Sequence, residues 1–89
     1  MTEITEEQKY SSLFLSLVQQ FYQSAMIFIG KIENPQTKKT EKNLDMAKYF
    51  IDSLDMLQVK TKGNLSEQEE QALQKILQEL KLEFIKEKN

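Results

Sequence analysis

Ten consecutive residues, Lys60-Thr61-Lys62-Gly63-Asn64-Leu65-Ser66-Glu67-Gln68-Glu69, constrain this chain more than any others. They end one helix and begin the next with almost no slack. Gly63 supplies the left-handed backbone with which helices terminate, and Asn64 tolerates turn geometry. Ser66 and Glu69 have the spacing of a capping box, in which each side chain satisfies the other's backbone amide. A connection this short makes the flanking helices antiparallel neighbours.

The same logic delimits the rest of the chain. Thr5-Glu6-Glu7-Gln8 is a second helix start, with Thr5 as cap, Gln8 three residues on and acids in the first turn. That helix runs to about Ile29 and stops at Gly30. Asn34-Pro35-Gln36-Thr37 marks a turn inside a solvated linker, residues 31–42. The second helix, about 43–61, repeats Leu44, Ala47, Phe50, Ile51, Leu54 and Leu57 at three- and four-residue steps. The third, about 66–86, carries a narrow stripe of Leu73, Ile76, Leu77, Leu80 and Phe84. Leu82 points away from that stripe and Ile85 lies to one side. Residues 87–89 are expected to fray. No segment alternates with a period of two, so no strand is expected. The expectation is one all-α domain over residues 1–89, a three-helix antiparallel arrangement completed as a bundle by homodimerisation.

The dimer enters through the first helix. Its apolar residues cover roughly 200° of its circumference, where a surface helix needs about 100°. Leu13, Phe14, Leu17, Phe21, Ala25 and Phe28 form the centre, and Leu15, Val18, Tyr22, Met26 and Ile29 extend it sideways. An 89-residue chain buries only about 60–65% of its unfolded surface, a thin margin without disulfide, metal or partner. The sideways residues Leu15, Val18, Tyr22, Met26 and Ile29 are therefore the expected dimer interface. No charge occurs from Tyr10 to Gly30, which raises the question of a membrane span. A stripe of Ser12, Ser16, Gln19, Gln20 and Gln23 argues against one. Tyr49 and Met56, seven residues apart, are either a flank of the core or an outward contact stripe.

Composition excludes more chemistry than it suggests. There is no Cys, His, Trp or Arg, and all twelve cationic residues are Lys. Without His or Cys the usual zinc sites and nucleophile–base pairs cannot be built. Without Arg, and with a net charge of −2, the chain lacks the means that favour phosphate and guanine recognition, so nucleic acid is not an expected partner. The acidic start (Glu3, Glu6, Glu7) is unlike a basic secretory leader, and with no Cys it favours the cytoplasm. Asp52 and Asp55 could divide acid and base roles, yet they project to the charged side of the second helix, where Lys48 pairs with Asp52. Lys60 and Lys62 with the amides about Gly63 and Asn64 are a candidate anion site at a helix start. A phosphate loop, however, normally carries several glycines and follows a strand.

The pattern Leu44-x-x-Ala47-Lys48-x-x-Ile51-Asp52-x-Leu54-x-Met56-Leu57, followed by Lys60-Thr61-Lys62-Gly63-Asn64-Leu65-Ser66-x-x-Glu69, resembles a family of small, mostly single-domain bacterial proteins known as domain of unknown function 1844. The run Leu13-x-x-x-Leu17-Val18 with Ala25, Gly30, Pro35 and Thr37 is similar to that family's first half. The resemblance spans about residues 13–82. The family often has Gly after the linker Thr, where this chain has Lys38. It implies a bacterial origin and supplies no activity, ligand or catalytic residue. The functional expectation is a cytoplasmic helical interaction or structural module, not an enzyme, with no cofactor and no metal. It acts through self-association first and other proteins second. The alternative is an anion- or small-ligand-binding module, enzymatic in its stronger form, at Lys60, Lys62, Gly63 and Asn64, shaped by Ser66 and Glu69.

Overall fold

The computed structural model describes residues 4–88, so the readings that involve Met1, Glu3 and Asn89 lie outside the described residues. Three helices follow one another, α1 (Glu6–Ile29), α2 (Leu44–Lys60) and α3 (Glu67–Lys88), and each packs against the other two. Among the described residues there is no strand.

The helix ends are set by local chemistry. At the start of α1, the Thr5 hydroxyl accepts from the Gln8 amide at 3.1 Å and the Gln8 side chain accepts from the Thr5 amide at 3.0 Å. At its end, Gly30 adopts φ 93°, and the amides of Gly30 and Lys31 reach back to the carbonyls of Ile27 and Met26. That pair of crossed bonds is a Schellman motif, which satisfies carbonyls the helix itself leaves free. Asn43 caps α2 through the Met46 amide, while its own amide donates to the Phe28 carbonyl at 2.8 Å. One residue thus starts α2 and ties it to the end of α1.

Between them the linker folds on itself. The Asn34 side chain accepts from the Gln36 amide, and the Asn34 backbone bonds to both Lys38 and Lys39. Closing this loop puts Lys38 at φ 59°, the left-handed region that glycine adopts without strain. This is the position where the resemblance leads one to expect glycine. The backbone therefore keeps a glycine-like shape with a lysine in it.

The α2–α3 connection is a tight turn. The Asn64 amide donates to the Thr61 carbonyl at 2.8 Å, and Gly63 at φ 85° is its third residue. A positive φ at Gly63 but not at Lys62 is the signature of a type II turn. The capping box of Ser66 and Glu69 closes both ways, at 2.8 and 3.1 Å.

Among the described residues nine side chains form the buried core, three from each helix: Val18, Ala25 and Ile29, then Ala47, Ile51 and Leu54, then Leu73, Leu77 and Leu80. Two of the sequence expectations need correction. Val18 is 1% exposed and Ile29 is fully buried, so these expected interface residues lie at the heart of the monomer's own core. Leu15, Tyr22 and Met26 are half-buried, and the last two pack against that core. The cause is the position of α1 between two partners. Phe21 and Phe28 meet Phe50 of α2 on one flank, and Tyr22 meets Glu79 of α3 on the other. The buried line must bisect those flanks, and it falls on Val18, Ala25 and Ile29. The second correction is the tail, which stays helical through Lys88. Glu87 holds it by pairing with Lys31 at 3.2 Å and Lys42 at 2.7 Å, with Glu83 adding a contact to Lys31.

Candidate interaction surface

The rotation of α1 that buries Val18 turns Leu13 and Leu17 outward, 57% and 40% exposed. At about 100° per residue, both lie on the flank of α1 that carries Phe21 and Phe28, the flank toward α2. On α2, Met46 and Ser53 lie on the flank that carries Phe50, the flank toward α1, while Tyr49 and Met56 continue round to the outer side of the helix, beside Lys60 and Asp45. The two flanks therefore share one face over the α1–α2 seam, opposite the side on which α3 packs. Tyr49 is 62% exposed and Met56 47%, so the alternative left open by the sequence resolves as an outward stripe.

Aromatic rings make the floor of this face. Phe50 packs edge-on against Phe21 with centroids 5.7 Å apart and stacks on Phe28 at 5.8 Å, while Tyr49 meets Phe50 edge-on at 5.3 Å. Those are the separations at which aromatic pairs attract beyond simple area burial. Ser53, the polar residue in the middle of the α2 flank, donates its hydroxyl to the Tyr49 carbonyl at 2.8 Å. Its donor is thus used internally. The α1 flank holds no charged side chain between Tyr10 and Gly30, whereas on α2 Lys60 lies beside Tyr49 and Ser53 and Asp45 beside Met56.

Toward α3, polar side chains tie the helices together. The Tyr22 hydroxyl donates to Glu79 at 2.9 Å, and burial followed by that carboxylate raises the phenol above its ordinary pKa. Lys81 bonds to Asp55 at 2.9 Å and Lys48 to Asp52 at 2.7 Å. Asp52 and Asp55 therefore each hold a different lysine, and one of those pairs joins α2 to α3. The lysines Lys42 and Lys31 keep the Glu87 carboxyl below its ordinary range.

The Lys60–Asn64 turn is built differently from an anion site. Lys60, Lys62, Gly63 and Asn64 are all exposed. The Ser66 and Glu69 amides are taken by the Ser66–Glu69 box, and Glu67, Glu69 and Glu70 fill the first turn of α3 with negative charge. A helix start already furnished with carboxylates repels an anion. Glu69 also reaches α1: the Ser11 hydroxyl, then the Ser66 amide, holds its carboxyl below the usual range. Among the described residues, no group of three or more acidic side chains is arranged to hold a metal ion.

Sequence reasoning named Tyr49 and Met56 as one of two possibilities and placed Leu13 and Leu17 in the core. The missing signal was pairwise, namely which side of α1 meets the aromatic ring at position 50. No curated protein and no solved structure matches the chain. The family described as domain of unknown function 1844 matches residues 11–86, from the second turn of α1 nearly to the end of α3. With almost all of the fold inside that match, the chain belongs to the domain of unknown function 1844 family.

Proposed function

We propose that this protein works by association and not by catalysis, as a small helical interaction module whose working surface is the α1–α2 face. The observation that carries this reading is the exposure of Leu13, Leu17, Met46 and Tyr49 around the aromatic cluster of Phe21, Phe28 and Phe50. Aromatic residues and methionine are enriched, and charge depleted, at the centres of protein interfaces. A contiguous apolar patch of this kind on a soluble chain marks a surface that is covered in use. The polar remainder of the molecule supports a cytoplasmic setting, as does the absence of cysteine. Helix α1 is long and apolar enough by length and composition to cross a membrane. Its burial of Val18, Ala25 and Ile29 against α2 and α3 supports the role of a core helix.

Hydroxyl-radical footprinting in living cells tests the reading without naming a partner. The dilute purified chain serves as reference, and the reporters are Met46, Tyr49 and Met56. Leu82 and Ile85, exposed on α3 away from the core, serve as internal controls. Protection of the three reporters in cells, with unchanged labelling of Leu82 and Ile85, is the expected result. Equal labelling of the reporters in cells and in dilute solution would refute it.

A further inference from the structure

We infer that the linker, residues 31–42, and the last turn of α3 open and close as one unit, with the Glu87 carboxylate as the clasp between them and salt as its control. The device lies at the end of the molecule where α1 finishes and α2 begins, and it stands independently of the α1–α2 face.

Geometry is the first reason. Lys31 opens the linker and Lys42 closes it, and one carboxylate holds both: Glu87 Oε1 is 3.2 Å from the Lys31 Nζ, and Oε2 is 2.7 Å from the Lys42 Nζ. The backbone brings those two ends together. The Asn43 amide donates to the Phe28 carbonyl at 2.8 Å, and a side chain added at Gly30 would touch the Lys42 Cβ at 3.8 Å. A loop whose ends meet in this way is a compact surface unit. Glu83, one turn earlier on the same side of α3, adds a 3.5 Å contact to Lys31.

Anchorage is the second reason. Phe84 packs against the core, but beyond it Ile85, Lys86 and Lys88 are exposed and Glu87 is half-buried. The linker contributes no buried side chain either: Ile32 and Asn34 are half-buried and the rest are exposed. Its own bonds are those of the Asn34 amide to the Lys39 carbonyl at 2.9 Å and of the Lys38 amide to the Asn34 carbonyl at 2.7 Å, closed over the left-handed Lys38. Segments with so few apolar contacts open locally, well below the cost of global unfolding. Because Glu87 joins them, each loses the same contacts when the other leaves.

The medium around the clasp is the third reason. The Lys31 and Lys42 side chains are 39% and 50% exposed, and that of Glu87 is 25% exposed. Ion pairs this open to water are screened by salt. The contacts among Val18, Leu54 and Leu80 carry no charge to screen. Rising ionic strength therefore loosens this end of the molecule while the three-helix core stays closed.

Amide hydrogen exchange of the full chain, read residue by residue by NMR, tests the inference. Sodium chloride is set at about 0.01 M and about 1 M, between which the screening length falls from ~30 Å to ~3 Å. The wild type is compared with Glu87→Gln, Lys42→Gln and the control Asp52→Asn, which breaks an exposed ion pair elsewhere, that of Asp52 with Lys48. At low salt, Glu87→Gln and Lys42→Gln should each speed exchange about two- to tenfold at both the Asn34 and Lys38 amides and the Glu87 and Lys88 amides. High salt should bring the wild type to the same rates and leave Glu87→Gln unchanged, and Asp52→Asn should match the wild type at both segments. The inference is overturned if Glu87→Gln speeds the α3 amides alone, or if Lys42→Gln leaves the Glu87 and Lys88 amides at their wild-type rates. A salt response that persists in Glu87→Gln, or an equal acceleration in Asp52→Asn, would overturn it as well.

Discussion

Leu17 and Val18 are neighbours in sequence, and aspartate at the two positions should have opposite consequences. Val18 is 1% exposed and packs among Ala25, Ile51 and Leu77 in the common core, whereas Leu17 is 40% exposed on the α1–α2 face. Val18→Asp forfeits about 1.5–3 kcal/mol of apolar burial. It also leaves a carboxylate without a partner in a core that has no buried polar group among the described residues, adding a penalty of several kcal/mol. At about 0.05–0.15 kcal/mol per residue, the whole domain is stable by only ~4–13 kcal/mol, so this one change removes most of it. Leu17→Asp loses partial burial and a little helix propensity, together about 1 kcal/mol. Thermal melts followed by circular dichroism, at a concentration low enough to dissociate any assembly, should show Val18→Asp largely unfolded at room temperature. Leu17→Asp should melt within about 4–8 °C of the wild type, the shift that ~1 kcal/mol produces in a domain of this size. A cooperative, wild-type-like melt for Val18→Asp would show that α1 is rotated differently and would refute the assignment of its buried line.

Three further tests address the turns and the charge network. At Gly63 an added side chain meets nothing within 4 Å, so the ~1–2 kcal/mol loss expected for Gly63→Val is backbone strain alone and should appear in urea titrations; Ser66→Ala should lose about 1 kcal/mol with its cap. Lys38→Gly should instead stabilise by up to about 1 kcal/mol in the same titrations, because it relieves the left-handed strain at φ 59°; an unchanged or lowered midpoint would contradict that loop geometry. Glu69 and Glu87 have lowered folded pKa values, so their contribution is present above the ordinary glutamate value of about 4.3 and is lost as the pH falls through the folded values. Tyr22 is shifted upward, so its contribution holds below about pH 10 and fades as the pH rises through its folded value. Melting temperatures across pH should therefore fall at both ends, and the alkaline fall should shrink in Tyr22→Phe, the remainder coming from Lys31 and Lys48, which their pairing with Glu87 and Asp52 also shifts upward.

The helix ends were legible because they are local: Thr5 with Gln8, Ser66 with Glu69, and glycines at 30 and 63 act within a few residues of chain. The core stripe of α3 was legible because it is narrow. Leu73, Leu77 and Leu80 fall on one stripe while Gln71, Gln74, Lys75, Gln78, Glu79 and Lys81 fill most of the positions between, so only one orientation buries much apolar surface. Helix α1 offered no such choice. Its apolar arc can be rotated by a third of a turn and still bury leucine, phenylalanine or isoleucine. What decides the rotation is contact at a distance, Phe21 and Phe28 against Phe50 and Tyr22 against Glu79. That is why Val18 and Ile29 were expected at an interface and are found in the core, while Leu17 moves the other way. The tail was misjudged for the same reason. Its helix is held by Lys31 and Lys42, which stand far from Glu87 in sequence.

The methionines offer the most direct measurement of the central claim. Met46 is exposed on the α1–α2 face, Met56 is exposed on the neighbouring outer side of α2, and Met26 is half-buried on the opposite flank of α1. Carbon-13 methyl spectra of the full chain, recorded in living cells and in dilute solution, report on both flanks at once. The expected result is that the Met46 and Met56 methyl resonances shift in cells while Met26 stays fixed. Shifts in cells at Met26, with Met46 and Met56 unmoved, would contradict the account and return the interface to the flank of Leu15, Tyr22 and Met26.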